Sequence, residues 1–325
     1  MKKAGWSSIL IAAMLLTVGV IAEAQQAGKI PRVGILFIGG KDQPHLESFK
    51  QGLRALGYAE GKNIILEYRY AEGNQDRLGD LAAELVRDRV DVLVTTAAIS
   101  AKAAQRITQT VPIIMTTGDP LEQGLAASLA RPGGNVTGLS VMLTDMSVKR
   151  LELLKESFPK RTRVAALWSP REREAAIGFK ETQDAAKVLS LRLHPLEIKS
   201  VADIDRAFVA MTKARDQALV VILSPLSTLN SKRIVELALK HRLPGIYPTR
   251  QFVEEGGLMA YGPLIGDLYR RAATYVDKVL KGANRAELPI EQPMKFDFIV
   301  NLIAAKQIGV TVPPNVVVRA DKVIR

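Results

Sequence analysis

The chain has 325 residues, a formal net charge of +12, no cysteine and three histidines. That length exceeds what one compact core usually supports, so two lobes are expected. The lack of cysteine excludes a disulfide framework, a thiolate metal site and a lipidated cysteine, and His45, His194 and His241 are too scattered for a histidine metal cluster.

The N-terminus reads as a signal peptide. Lys2 and Lys3 form a basic start, Ile9 to Ala22 is largely apolar, and Ala22-Glu23-Ala24 is a cleavage site that would leave Gln25 first. The apolar run is short for a transmembrane helix, which needs roughly 20 residues. A periplasmic protein is therefore expected. The basic charge invites a nucleic-acid reading, but the basic residues are dispersed and aromatics make up only 5% of the chain. An export signal also points away from nucleic acid, which is not an expected partner.

Beyond the signal, strand and helix patterns alternate. Arg32–Ile38 is an apolar strand ended by Gly39 and Gly40, and Pro44–Leu56 carries helical spacing stopped by Gly57. Asn63–Tyr70 alternates as a strand, Arg77–Arg89 is helical, and Val90–Val94 is the next strand. Ser100–Thr108 predicts a helix, Val111–Met115 a strand and Glu122–Ala130 a helix. The run Arg131–Gly138, rich in glycine, reads as a turn between lobes; its Asn135-Val136-Thr137 matches a glycosylation acceptor only by accident.

The pattern then starts again. A helix over Met146–Ser157 leads to a strand at Val164–Trp168, a helix to Leu189, a strand at Leu191–Ile198 and a helix at Ala202–Ala214. Ala218–Leu223 is a strand, Ser224–Asn230 is its loop, a helix then runs to His241, and Gly245–Tyr247 is a further strand. The tail predicts a strand at Gly257–Tyr261, a long helix at Leu264–Leu280, a strand at Lys295–Val300 and a short helix at Leu302–Gln307. Such alternation implies α/β architecture: two doubly wound, Rossmann-like lobes with mostly parallel sheets. The expected division gives residues 30–140 and about 257–287 to an N-terminal lobe, and 141–256 and about 288–325 to a C-terminal lobe. Repeated crossing between lobes would make a hinge.

Ligands in such sheets bind beyond the carboxyl ends of strands. Thr95, Thr96 and Ser100 stand where a strand meets a helix start, where free N–H groups favour an anion; capping that helix is their other reading. Asp119 could meet a ligand ammonium or cap the following segment, and catalysis by it lacks a partner acid or base in sequence. Asp42, with His45 beside it, lies on a glycine-rich lip that matches neither a P-loop nor a dinucleotide fingerprint. In the second half Ser169, Arg171 and Ser224 follow strands. Arg171 could grip a carboxylate, although Arg171-Glu172-Arg173-Glu174 also reads as a solvated helix start. Trp168, Tyr247 and Tyr261 are candidates to stack on a flat ligand or to fill the core.

"RVGILF", "GDPLEQGLAASLARPGGNVTG", "LELLKESFP", "RVAALWSP", "GGLMAYGP" and "IEQPMKFDFIVNLIAAKQIGVTVPP" together resemble the periplasmic solute-binding proteins of ABC transporters, in the group called tryptophan/tyrosine-type. The resemblance spans residues 30–325. It implies a type I periplasmic-binding fold whose lobes close by hinge motion over a small polar solute, an amino acid or an aromatic or carboxylated compound. It further implies delivery to an ABC permease with its ATPase subunit, with no catalysis, no cofactor and no metal, by a protein expected to be a monomer. Two alternatives stay open: a periplasmic enzyme using Asp119 as general base, and a ligand-sensing partner of a receptor.

Overall fold

The computed structural model describes residues 29–42, 45–141 and 144–325; the signal-peptide expectation lies outside them. The first sheet is built from β1 (Arg32–Phe37), β2 (Ile65–Tyr70), β3 (Val92–Thr95), β4 (Ile113–Met115) and β5 (Val136–Gly138), in the order β2-β1-β3-β4-β5. Every pair is parallel, with Ile35 opposite Val94 and Val94 opposite Ile114. A parallel sheet is covered on both faces, which explains why β1 after Arg32 and β3 before Thr95 are continuous apolar runs rather than alternating.

One face of this sheet is covered by α1 (Leu46–Ala55) and α10 (Ile265–Leu280), where Phe49, Leu53, Leu268 and Val276 close a core over Val33, Ile35 and Val94. The two helices meet so closely at Gly52 that a Cβ there would lie 2.5 Å from the carbonyl oxygen of Arg270. The other face is covered by α2 (Leu78–Arg87) and α3 (Ala98–Ile107), with Leu78, Leu85 and Ala101 packed on Leu36, Leu93 and Ile113.

The second sheet has seven strands, in the order β12-β11-β10-β9-β8-β6-β7. They are β6 (Arg163–Trp168), β7 (Arg192–Glu197), β8 (Ala218–Val221), β9 (Gly245–Tyr247), β10 (Met259–Pro263), β11 (Phe296–Asn301) and β12 (Lys322–Ile324). Only β10 and β11 run antiparallel. β7 is one of the two edge strands and carries Pro195, a residue tolerated at a sheet edge because it lacks an N–H. The helices are α4 (Thr144–Ser157), α5 (Arg173–Val188), α6 (Val201–Ala214), α7 (Pro225–Leu229), α8 (Ser231–Lys240), α9 (Arg250–Glu254), α11 (Leu302–Ile308) and α12 (Pro314–Val317). The chain passes between the sheets after β5, after β10 and before β11.

Several sequence expectations need correction. Residues 257–264 were assigned to the first lobe with α10, but β10 fills the slot between β9 and β11, where both of its edges find main-chain partners. The helix expected at Glu122–Ala130 is a series of turns: Gly124 is left-handed at φ +66°, and Ser128 Oγ takes the Arg131 N–H at 3.0 Å. Val136–Gly138, read as part of an inter-lobe turn, is strand β5. The segment before it is pinned because Asn135 is buried and its Nδ2 donates to the carbonyls of Thr108 at 2.8 Å and Val111 at 3.0 Å. The loop expected at Ser224–Asn230 holds the short helix α7, and the helix expected to run from there to His241 is α8. Among the described residues no helix is long and apolar enough to cross a membrane.

Candidate functional site

The carboxyl ends of β1, β3 and β4 face those of β6, β8 and β9 across a cavity of ≈ 260 Å³. The first lobe supplies Ile38, Asp42, His45, Thr96, Thr117 and Val141 to its wall, and the second supplies Glu172, Glu174, Leu223, Ser224, Thr249 and Gln251. Ile265 and Tyr269 of α10 complete it.

α3, α7 and α9 are among the helices that begin at this cavity. α3 starts after Ala97, which has no side-chain acceptor, so its first N–H groups lack a side-chain cap at a point where Ala98 and Ile99 line the cavity. α7 starts after Ser224, which accepts the Ser227 N–H at 3.1 Å. α9 starts after Thr249, which is buried, makes no cap bond and leaves its hydroxyl without a partner. Unpaired N–H groups at a helix start carry partial positive charge and suit a ligand oxygen.

The chain holds the α3 start in place by a close approach. Gly118 sits at φ +116° with its Cα against Ala98, and an added Cβ would lie 2.6 Å from the Ala98 methyl. Thr117 Oγ1 donates to the Thr96 carbonyl at 2.7 Å, locking the two strand-end loops together. Behind them, burial pushes the Tyr269 phenol up to about 12, against the opposite pull of its hydrogen bonds with Thr116 and Thr96. His45 lies 5.5 Å from the Tyr269 ring, and burial lowers its pKa, which keeps it neutral at pH 7.

Electrostatically the cavity is one-sided. Asp42, Glu172 and Glu174 line it, and among the described lining residues none is lysine or arginine. Two nearby cations are committed elsewhere: Arg173 Nε lies 3.2 Å from Glu122 Oε2, and Arg250 Nε donates to Asp297 Oδ2 at 2.9 Å. Burial raises the Glu174 carboxyl, while Gln123 and the Asp119 main chain pull it back by hydrogen bonding.

Of the residues singled out in the sequence, Asp42, Thr96 and Ser224 lie on the cavity wall together with His45. Thr95 and Ser100 are fully buried behind it, each with an unpartnered hydroxyl. Asp119 is off the wall: its Oδ1 accepts the N–H groups of Leu121 at 3.0 Å and Glu122 at 3.1 Å, capping a turn. Ser169 is buried and accepts the Arg171 N–H at 3.4 Å. Arg171 is exposed and lines an adjoining cavity of ≈ 380 Å³ with Lys199, Glu72 and Gln75. Tyr247 is a core residue stacked on Phe252 at 5.0 Å, Tyr261 stacks on Phe296 at 6.2 Å, and Trp168 on Phe179 at 4.4 Å; none of the three reaches the wall. Each ring has an aromatic partner inside its own lobe, although the buried Nε1 of Trp168 has no hydrogen-bond partner.

Sequence reasoning missed Tyr269, Thr249 and Glu172. Tyr269 lies on the cavity-facing side of an otherwise ordinary amphipathic helix, and Glu172 was absorbed into a charged run. The one available signal for Thr249 was its position as a hydroxyl residue two places after a strand.

A model of the family described as ABC transporter substrate binding protein matches residues 42–324. The tyrosine-binding protein of Clostridioides difficile is 28% identical over 265 residues, covering 80% of this chain and 76% of that protein. A conserved domain protein of Vibrio cholerae superposes with a TM-score of 0.84 at 27% identity, covering 91% of this chain and 100% of that one. An ABC domain from Streptococcus pneumoniae, solved in complex with L-Trp, gives a TM-score of 0.84 at 25% identity with the same coverage.

Proposed function

The chain belongs to the ABC transporter substrate-binding protein family, and from that premise we propose that it captures a solute of amino-acid size in the inter-lobe cavity by hinge closure. In this reading it works in the periplasm as a monomer, after loss of residues 1–24, and hands the solute to the permease of an ATPase-driven importer. The observation that carries the reading is the cavity itself, walled by strand-end loops of both lobes and met by the starts of α3, α7 and α9.

An amino acid suits those walls. Free N–H groups at α3 fit a carboxylate, acidic side chains fit an ammonium, and Ile38, Val141, Leu223 and Ile265 fit an apolar side chain. The relatives that bind tyrosine and L-Trp support the same class. Native mass spectrometry of the purified protein, with solution scattering, tests the reading. The expected result is a carried-over solute of amino-acid mass, with a larger radius of gyration after its removal. A protein that takes up none of the amino acids offered, and shows one radius throughout, would refute it.

A further inference from the structure

Glu172 stands at the lip of α5 with 6% exposure. One carboxylate oxygen, Oε1, accepts from Gln75 Nε2 at 2.8 Å. The other, Oε2, is buried and has no hydrogen-bond partner, although Glu172 lines the cavity. Elsewhere on the wall of the same cavity, the Thr249 hydroxyl is likewise buried and unpartnered.

A buried carboxylate oxygen without a donor is costly, and a charged donor is the partner that offsets the cost best. Arg171 and Lys199 line the adjoining cavity with Glu172, but neither bonds Oε2, and no lysine or arginine is among the described residues lining the ≈ 260 Å³ cavity. A solute anion is therefore opposed by Glu172 and Asp42 and met only by uncharged donors, whereas a solute cation finds an acceptor already desolvated and held in place by Gln75.

We propose that Glu172 is the specificity-determining residue of this cavity and holds the protonated amine of the solute. The amine is the group selected, and a carboxylate on the same solute is optional. Thr249 Oγ1 accepts a second N–H of that amine, and the apolar walls take the remainder of the molecule. This inference rests on the solute-capture reading above and deepens it.

The test is calorimetric titration of the purified protein with matched probes: tyramine and phenethylamine as amines, L-tyrosine and L-phenylalanine as amino acids, and 3-(4-hydroxyphenyl)propionate and 3-phenylpropionate as carboxylates. Amines and amino acids should bind, with the carboxylates weaker by about tenfold or more. Glu172→Gln should weaken the amine-bearing probes by about tenfold or more, whereas Gln75→Ala, which spares the carboxylate, should keep the amine preference. Glu172→Asp, checked for folding by its melting temperature, should show a smaller loss with the preference intact; it replaces Glu172→Gln if that variant does not fold. Binding in which carboxylates fall short of a tenfold deficit, or in which neither Glu172 variant loses affinity, overturns the inference and leaves solute capture standing. No binding by any probe overturns both.

Discussion

Gln75 and Glu172 join the two lobes across the mouth of the cavity, the amide of the first donating to a carboxylate oxygen of the second at 2.8 Å. The next two residues also reach the first lobe: Arg173 pairs with Glu122 at 3.2 Å, and Glu174 meets Gln123 and the Asp119 main chain. A single turn at the start of α5 thus carries three cross-lobe contacts, and they are not equal. The Arg173–Glu122 pair is well exposed, with side chains 68% and 38% accessible, and pairs of that kind contribute about 0–1 kcal/mol. The bond to buried Glu172 is shielded from water and is the stronger of the two. Gln75→Ala is therefore expected to enlarge the radius of gyration of the ligand-free protein in solution scattering, and Glu122→Gln to leave it unchanged. Equal scattering from both variants would refute this ranking.

The Glu174 carboxyl gives stability a pH dependence. Burial raises its pKa above the ordinary value of 4.5, which it regains when unfolded. A carboxyl raised in the fold contributes stability below its unfolded pKa and loses it as pH rises through the folded one. At neutral pH the ionised group is thus a cost. Glu174→Gln removes that cost while keeping a group able to hydrogen-bond Gln123. It should melt higher than the parent at pH 7, with the difference shrinking as pH falls toward 4.5. A difference independent of pH between 4.5 and 7 would count against burial as the cause.

Gly118 is required by two constraints at once, its left-handed φ of +116° and its contact with Ala98. Gly118→Ala places a methyl 2.6 Å from the Ala98 Cβ and 2.9 Å from the Ala98 nitrogen, so either the loop or the start of α3 must move. A destabilisation of about 2 kcal/mol is expected in urea unfolding. Solute affinity should fall as well, because the displaced backbone is that of the cavity wall. A variant with wild-type stability would show that the loop yields freely.

Much of this organisation is legible in the sequence, for identifiable reasons. The buried strands β1, β3 and β8 are apolar runs bounded by polar residues, so their existence and order follow from pattern alone. β5 escaped because three residues after Gly133 and Gly134 carry no periodicity; it is held in place through the neighbouring strand and the side chain of Asn135. The lobe assignment of β10 depends on pairing partners remote in sequence, Ile246 and Val300, which local pattern does not encode. At the site, strand-end position identified Asp42, Thr96 and Ser224. It misled at Tyr247, where the final residue of a short strand turns into the core. It undervalued Glu172, because a Glu-Arg-Glu run looks solvated until the opposite lobe is in place.

Arg150 is the other residue that the pattern hid, a cation in an ordinary helical stretch of α4 that proves to be 1% exposed. Its Nε donates to the Tyr261 carbonyl at 2.7 Å and its Nη2 to the Pro248 carbonyl at 3.3 Å, tying α4 to β10 and to the segment after β9. Burial lowers its pKa to about 9, which leaves it charged at neutral pH. Arg150→Met relieves the burial of a charge but strands two main-chain carbonyls, each worth about 1–3 kcal/mol when left unpaired. The stranded acceptors outweigh the relief because no methionine atom can donate to them. Arg150→Lys fares little better, since one ammonium on a flexible stem does not reproduce the two-nitrogen span of the guanidinium. Both variants should lose about 2 kcal/mol or more in urea unfolding, with hydrogen-exchange protection falling first in β10 and in residues 248–250. Because the chain crosses to α10 directly after β10, they should also alter how the lobes sit, measured as a shifted radius of gyration in the ligand-free state. Unchanged protection in β10 would mean that Arg150 fills space there without holding the strand.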